Sequence, residues 1–285
     1  METATATVRV CGRDTQATVA ELDLSGLAED IAVGTLATLP RLVNLRTLIL
    51  SSRRFTDEGW AELMTALREC PRLGRLEMVG CGLGPKHAGD LADILSDATQ
   101  FIASLVEVNM AGAIIGESGP ALVEAVKKSP SLEFITIGKG SWPERGVRLP
   151  LKGNYDSNVF DASGRGIELG GVAVIAWWLT TFAAAAVARL ILNENPLTGG
   201  RRSTDFDTDI TGITALCDTL KTSSVTELGL AKCRLGPGSL GKLAEYVRDA
   251  DAALTKIDVR NNTLDGDSLE TLKVATSQGC EILCD

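Results

Sequence analysis

One apolar pattern returns nine times along the chain and constrains its fold more than any other feature. In each segment an apolar residue stands three positions after the segment begins, and a second stands two positions further on. These eighteen residues are Leu22, Leu48, Leu76, Val108, Ile135, Phe160, Leu190, Leu228 and Ile257, then Leu24, Leu50, Met78, Met110, Ile137, Ala162, Leu192, Leu230 and Val259. Alternate side chains of a strand point to opposite faces. The pattern therefore predicts nine short strands, each burying one apolar pair.

The segments depend on one another for burial. Eight of the nine begin on an aliphatic residue, at Val19, Leu45, Leu73, Leu105, Leu132, Val187, Val225 and Leu254, and Ser157 begins the other. A single segment cannot bury its apolar face alone, so consecutive segments must stack. Parallel strands about 4.8 Å apart would then form about 40 Å of continuous sheet.

Two further positions extend the pattern. The ninth residues of the segments are Leu27, Arg53, Cys81, Ala113, Gly140, Arg165, Asn195, Cys233 and Asn262, and the eleventh, from the second segment onward, are Phe55, Leu83, Ile115, Trp142, Ile167, Leu197, Leu235 and Leu264. The whole resembles the Leu-x-x-Leu-x-Leu-x-x-Asn/Cys-x-Leu signature of the leucine-rich-repeat family over roughly residues 19 to 275. A buried Asn or Cys at the ninth position can satisfy backbone groups of the turn. Arg53, Ala113, Gly140 and Arg165 depart from this rule, which puts those turns in doubt.

The return segments have a helical pattern. The repeats begin 25 to 38 residues apart, and most lie near the longer period that the family associates with helices. Apolar residues recur every three or four positions, as in Leu240, Leu243 and Val247, which predicts one buried helical stripe per segment. The resemblance is therefore to the ribonuclease-inhibitor-like subclass. It implies an α/β leucine-rich-repeat solenoid, or horseshoe, with parallel strands on the concave face and helices on the convex face.

We expect residues 1–285 to form one domain. Residues 1–18 form an N-terminal cap with a strand around Thr7 to Cys11, residues 19–275 form about nine repeats, and residues 276–285 form a cap strand at Glu281 to Cys284.

Two segments depart from the repeat and are expected to protrude: an irregular loop at 138–158, with a short extra strand from Val147 to Leu151, and an insertion at 198–211. Exposed aromatic and arginine side chains dominate interface energetics. The candidate anchors are Trp142, Arg145, Tyr155, Arg201, Arg202 and Phe206, and the alternative is that both segments are solvated insertions without a partner.

Composition limits the class of partner and the compartment. Apolar residues make up 45% of the chain but aromatic ones only 4%, so many small aliphatic contacts must form the core. The net charge of −9 opposes approach to a nucleic acid or an anionic membrane surface, which favours a neutral or basic protein surface as partner. The seven cysteines include no Cys-x-x-Cys pair, and His87 is the single histidine. We therefore expect no zinc site, no disulfide framework and an intracellular, cytoplasmic location. The start, METATATVRV, lacks the features of a signal peptide.

One stretch raises the possibility of a membrane span. Leu169 to Ala188 has no charged residue over 20 positions, which meets the length criterion for a spanning helix. Gly170, Gly171, Thr180 and Thr181 interrupt it, and it keeps the register of the repeat. We therefore interpret it as a core segment.

The same register identifies the residues that would face solvent on the strands. One column contains Glu21, Thr47, Arg75, Glu107, Phe134, Val159, Arg189, Glu227 and Lys256, and the next contains Asp23, Ile49, Glu77, Asn109, Thr136, Asp161, Ile191, Gly229 and Asp258. Apolar anchors among charged neighbours are typical of protein recognition. The predicted partner-binding residues are Ile49, Arg75, Glu77, Glu107, Phe134, Val159, Asp161, Arg189 and Ile191, together with Trp142, Arg201 and Arg202 of the irregular segments.

Motifs that could carry chemistry are weak. Asp205, Asp207 and Asp209 alternate like the start of a calcium loop, but Ile210 stands where its glycine is required. Gly164-x-Gly166 with Gly170 and Gly171 lacks the spacing of a nucleotide loop. His87 has no nucleophile in a recognisable context. No catalytic residue, cofactor or metal is predicted.

Three functions remain open at this point. The first is a non-enzymatic protein-interaction module or assembly subunit that uses the concave face and the protruding loops. The second is a small-GTPase regulator, since GTPase-activating solenoids are similar in repeat length and acidity, although no corresponding polar motif can be placed here. The third is a purely structural part of a large assembly.

Overall fold

A computed structural model describes residues 6–25, 31, 34–97, 100–139, 146–200, 202, 204–249, 254–276 and 280–285. The chain divides into two compact units. The first contains Met1–Ile114, Ala121–Ile137 and Ser141–Arg148, and the second contains Ile115–Pro120, Gly138–Gly140 and Leu149–Asp285. Trp142, Arg145 and Arg201, which were predicted as anchors, lie outside the described residues.

Strands alternate with helices through most of the repeats. The strands are β1 (Thr7–Val10), β2 (Arg13–Gln16), β3 (Glu21–Asp23), β4 (Thr47–Ile49), β5 (Arg75–Glu77), β6 (Glu107–Asn109), β7 (Phe134–Ile137), β8 (Val147–Pro150), β9 (Val159–Asp161), β10 (Arg189–Ile191), β11 (Glu227–Gly229), β12 (Lys256–Asp258) and β13 (Glu281–Leu283). The helices are α1 (Asp57–Arg68), α2 (Pro85–Ser96), α3 (Gln100–Ser104), α4 (Gly119–Lys128), α5 (Leu169–Leu179), α6 (Thr211–Leu220), α7 (Pro237–Asp249) and α8 (Gly266–Ala275).

The strands of the repeats pair with their neighbours in sequence. β3 to β7 pair in parallel in the order β3-β4-β5-β6-β7, and β8 adds to the β7 edge to complete a six-stranded sheet. β9 to β13 pair in parallel in a second, five-stranded sheet. β1 and β2 form an antiparallel hairpin, so the expected N-terminal strand has a second strand beside it.

The expectation of one continuous sheet is wrong, because the strands of the repeats are divided between two sheets. The extra strand predicted near Val147 is present as β8, and it pairs at the edge of β7. Each edge of a strand can hydrogen-bond to one neighbour only. With β8 at that edge, β9 begins the other sheet.

The core is the aliphatic ladder that the repeat predicts. All eighteen repeat residues are buried, and none is more than 4% exposed. The helices contribute the predicted stripes, with Leu63 and Leu67 of α1 and Leu240 and Leu243 of α7 all buried. Burying aliphatic side chains of this size stabilises a fold by about 1.5–3 kcal/mol each, so the ladder is the main source of stability.

The uncharged stretch that begins at Leu169 forms the 11-residue helix α5. Its carboxylate cap, Glu168, accepts hydrogen bonds from the backbone N–H groups of Gly170 and Gly171. The Trp178 indole is buried and donates to the Pro150 carbonyl at 2.7 Å. Within the described part of the chain, no helix combines the length and the apolar character that crossing a bilayer requires.

Candidate protein-binding surface

The two columns that were predicted to face solvent have the predicted register within each sheet, but Glu77, Asn109, Thr136 and Asp258 of the second column are buried. In the first unit Glu21, Thr47, Arg75, Glu107 and Phe134 lie opposite one another on neighbouring strands. In the second unit the corresponding residues are Val159, Arg189, Glu227, Lys256 and Glu281. Each unit therefore presents a sheet face on which side chains from successive repeats are neighbours.

A network of charges crosses the face of the first unit. Arg75 contacts Glu77 at 3.1 Å and Glu107 at 3.9 Å. Arg148, on the added strand β8, contacts the other oxygen of Glu107 at 2.9 Å. These carboxylates and guanidiniums neutralise one another across three strands, so the centre of this face has little uncompensated charge.

Glu77 was expected to face solvent but is only 7% exposed. Its two oxygens contact the Ser51 hydroxyl at 3.3 Å and the Arg75 guanidinium at 3.1 Å. These contacts hold the carboxylate against the sheet. Glu77 therefore supports the position of Arg75 and offers little surface to a partner.

Phe134, a predicted anchor, is half-buried beneath a cation. The Arg148 guanidinium lies 3.4 Å from the centre of its ring, a favourable cation–π geometry. Sequence periodicity could not identify this contact, because Arg148 belongs to the irregular segment and reaches Phe134 only once β8 has joined the sheet. Ile49 is half-buried too.

The face of the second unit also pairs its charges. Arg189 contacts Glu227 at 2.8 Å, and Lys256 contacts Glu281 at 2.9 Å. Arg260 donates two hydrogen bonds to Asp258, at 2.9 and 2.7 Å, and they hold the pKa of this carboxyl below its usual value. Asp161 is exposed and accepts from the backbone N–H of Ser163.

A hollow opens in this charged surface at Gly229. It has a cavity volume of about 110 Å³ and is lined by Arg189, Ile191, Asn193, Glu227, Leu228, Gly229, Lys256 and Asp258. A Cβ atom at Gly229 would lie 3.0 Å from Asn193 Oδ1 and 3.1 Å from Ile191 Cγ2. Any larger side chain would fill the space. Gly229 stood in the predicted column, but sequence alone did not show that its missing side chain creates a concavity.

The ninth-position residues hold the turns together. Asn195 donates to the carbonyls of Ala162 and Leu192 and accepts from the Ile167 N–H, and Asn262 repeats the arrangement two repeats later. Cys81 and Cys233 occupy the same position, and each thiol lies 3.1 Å from a carbonyl of the preceding repeat. The parallel strands, their buried apolar pairs and the Asn or Cys residues at the ninth position match the repeat signature. The chain has a leucine-rich-repeat-like α/β fold.

Thr198, Asp207 and Asp209 of the acidic insertion form structural hydrogen bonds, and the expected protrusion of the insertion stays a prediction. Asp207 accepts hydrogen bonds from the backbone N–H groups of Gly236, Gly238 and Ser239 and from the Ser239 hydroxyl, which caps the start of α7. Asp209 accepts from Thr211 at the start of α6. Thr198 is buried and bonds to the Arg234 carbonyl. In the described residues no group of acidic, cysteine and histidine side chains is arranged to hold a metal ion.

Tyr155 is likewise part of the packing. Its ring makes edge contacts with Phe160 at 5.7 Å and Trp178 at 5.5 Å between centroids, and its hydroxyl donates to the Val159 carbonyl. Tyr155 is partly buried by these contacts, and its role as an anchor stays a prediction. Arg202 is exposed, as predicted.

His87 has a local structural contact at the start of α2. Its Nδ1 accepts a hydrogen bond from the Gly84 N–H at 3.1 Å, and its ring makes an edge contact with Trp60. Burial lowers its pKa. His87 therefore caps the start of α2.

Comparisons with known proteins give a limited result. No protein-family profile matches the sequence, and no curated protein is similar to it. Similar solved structures include the leucine-rich repeat-containing protein LegL7 from Legionella pneumophila, at 14% identity and a TM-score of 0.31, with 93% of this chain and 82% of that one covered. An internalin, InlF, from Listeria monocytogenes is 12% identical with a TM-score of 0.24, with 96% and 90% covered.

A third structure, a TLR13–ssRNA13 complex, is 13% identical with a TM-score of 0.22, and the match covers 93% of this chain and 38% of that one. Because all three TM-scores are below 0.5, the fold assignment rests on the ladder and the strand pairing of this chain.

Proposed function

We propose that the protein is a non-enzymatic interaction module that binds another protein on the strand face of its second unit. The observation that carries this proposal is the hollow over Gly229, beside the half-buried side chain of Ile191 and surrounded by paired charges. An apolar pocket within a polar rim is the usual arrangement at the centre of a protein interface. The hollow would accept one aliphatic side chain of the partner.

The size of the hollow favours a protein partner over a small molecule. Pockets for cofactors and drug-sized ligands have volumes of roughly 300–1,000 Å³, whereas this one has about 110 Å³. The net charge of −9 favours a partner with a neutral or basic surface. The first unit would contribute Ile49, Arg75, Glu107 and Phe134 as a second contact area. Contacts through Trp142, Arg201 and Arg202 stay predictions.

Two finer assignments belong to the same proposal. Helices in the return segments and repeat starts mostly near the longer period support the ribonuclease-inhibitor-like subclass, and the horseshoe expected of that subclass stays a prediction. All seven cysteines are free thiols and four of them are buried, which supports a reducing, cytoplasmic compartment.

The proposal is tested by replacing one wall of the hollow. Ile191→Asp places a charge where the partner's aliphatic side chain would bind, and we expect at least a tenfold weaker Kd for a partner captured from native extract. The matched control is Phe182→Ala, because Phe182 is 80% exposed and lies outside the strands, in the turn after α5.

Lysine crosslinking with mass spectrometry should join the partner to Lys256 in the wild type and lose that crosslink in Ile191→Asp. Equal binding by the two variants, or crosslinks confined to other lysines, would exclude this face. Circular dichroism of both variants confirms that the fold is retained.

A further inference from the structure

The last strand, β13, has an edge that no described residue covers. β13 ends the five-stranded sheet and pairs with β12 on one side only. Glu281 donates its N–H to the Thr255 carbonyl, and the Leu283 carbonyl accepts from the Val259 N–H. Along a strand, successive residues direct their backbone N–H and C=O groups to opposite edges. Ile282 and Cys284 therefore turn their backbone N–H and C=O groups toward the open edge.

Apolar side chains accompany this open backbone. Leu22, in the equivalent position on β3, is only 4% exposed, whereas Ile282 is partly exposed on β13. Leu269 of the adjacent helix α8 is also partly exposed, and Val274 is 76% exposed. Edge strands that avoid pairing carry prolines, bulges or free charges. β13 has none of these, since its one charge, on Glu281, is paired with Lys256 at 2.9 Å.

The residues around Ile282 indicate what would cover the edge. The segment Cys280–Cys284 reads Cys-Glu-Ile-Leu-Cys, with a thiol two positions on either side of Ile282. We propose that β13 pairs antiparallel with β13 of a second copy of this chain, about a twofold axis at Ile282. In that register Cys280 of each copy lies opposite Cys284 of the other.

The geometry of such a pair is consistent at each step. Because Ile282 points its backbone groups outward, Ile282 faces its equivalent as a hydrogen-bonded pair, and so does Cys280 with Cys284 two residues away. Residues in such pairs have Cα atoms about 5.5 Å apart, which is within the roughly 4.4–6.8 Å that a disulfide spans. Glu281 would lie opposite Leu283 of the second copy, so like charges do not meet. A twofold interface of this kind is self-complementary.

A crossed cysteine experiment tests the register. In a Cys11→Ser background, which removes the remaining partly exposed thiol, Cys280→Ser leaves only Cys284 at the edge and Cys284→Ser leaves only Cys280. Diamide oxidises two thiols to one disulfide by accepting two electrons and two protons. We expect no covalent dimer from either variant alone and a covalent dimer from their mixture. A dimer from a single variant, or none from the mixture, would overturn the proposed pairing.

The noncovalent dimer is tested by Ile282→Pro under reducing conditions. Proline removes only the outward N–H of Ile282, and edge strands tolerate proline. Sedimentation of the wild type should show a mass that rises with concentration toward twice 30.1 kDa, while folded Ile282→Pro should stay monomeric. A wild type that stays monomeric at every concentration would refute the proposal, and the crossed experiment decides it if the proline variant fails to fold.

The dimer edge and the proposed partner surface are separate. Ile191 lies on β10, three strands from β13 in the sheet order, so Ile191→Asp should leave the dimer intact. Failure of either proposal is therefore distinguishable from failure of the other.

Discussion

Asn195 is 1% exposed, and its side-chain amide bonds to backbone groups of two neighbouring repeats. The oxygen satisfies the Ile167 N–H at 2.9 Å, and the nitrogen satisfies the carbonyls of Ala162 and Leu192 at 2.8 Å each. A buried backbone group left without a partner costs about 1–3 kcal/mol. One amide therefore closes its own turn and fixes the preceding repeat against it.

Replacing this amide should destabilise the fold severely. Asn195→Leu keeps the size of the side chain but removes every hydrogen bond, so we expect the free energy of unfolding to fall by about 2–4 kcal/mol. Urea unfolding monitored by circular dichroism measures the change. Asn154→Leu is the control, because Asn154 is exposed and should change stability by no more than about 0.5 kcal/mol. Equal stability of the two variants would contradict the structural role of Asn195.

Single residues also show where sequence reasoning succeeds and where it fails. The buried apolar positions could be predicted because the same spacing recurs in every repeat. Asn195 and Asn262 could be predicted as turn residues because they stand at the ninth position of the signature. Arg148 and Gly229 could not be assigned roles in the same way. Arg148 acts on Phe134 through the pairing of an irregular strand, and Gly229 acts through the space that its neighbours leave. Both effects depend on contacts between repeats.

At the scale of elements, helix α7 begins on a carboxylate supplied by the long insertion. Asp207 accepts from three backbone N–H groups of the α7 start, at 2.7 to 3.1 Å. Gly236 allows this approach, since a Cβ atom there would lie 2.7 Å from the Asp207 carboxylate. The positive end of the helix dipole also favours a negative charge at this position. Asp205, Asp207 and Asp209 alternate like the start of a calcium loop in the sequence, and in the structure Asp207 and Asp209 accept hydrogen bonds at the starts of α7 and α6.

Removing this cap should cost more than removing a simpler one. Asp207→Ala leaves three N–H groups of α7 without their acceptor, so we expect a loss of about 2–3 kcal/mol in the free energy of unfolding. Asp209→Ala removes one backbone acceptor at α6, and about 1 kcal/mol is expected. Urea unfolding compares the two variants. Equal losses in the two variants would contradict the assignment of three α7 N–H groups to Asp207. A rise in the melting temperature of the wild type on adding calcium would instead support calcium binding by the acidic insertion.

At the scale of the whole molecule, the repeat predicts which strands pair but not where the sheet ends. Every parallel pairing from β3 to β7 and from β9 to β13 follows the order of the repeats. The break arises because the segment after β7 supplies an additional strand, whose register depends on hydrogen bonds rather than on an apolar period. Alternation of apolar residues reports which side chains are buried, and it contains no information about which edge a short strand will occupy.

Buried thiols distributed through both units should make the whole fold sensitive to alkali. Burial raises the pKa of Cys70, Cys217 and Cys233 to about 12 and that of Cys81 to about 11, from an ordinary value of 9.0. Above pH 9 the unfolded chain therefore binds fewer protons than the folded chain, and the free energy of unfolding falls as the pH rises. Each thiol contributes up to about 1.4 kcal/mol per pH unit.

Urea unfolding at a series of pH values from 8 to 10.5 measures this slope. Cys217→Ala removes one buried thiol, so its stability should fall less steeply with pH than that of the wild type, by up to about 1.4 kcal/mol per unit. Cys284→Ala is the matched control, because that thiol is partly exposed at the sheet edge. The comparison of slopes separates ionisation from packing, since a cavity at Cys217 lowers stability equally at every pH. Parallel curves for Cys217→Ala and the wild type would show that the buried thiols do not govern alkaline unfolding.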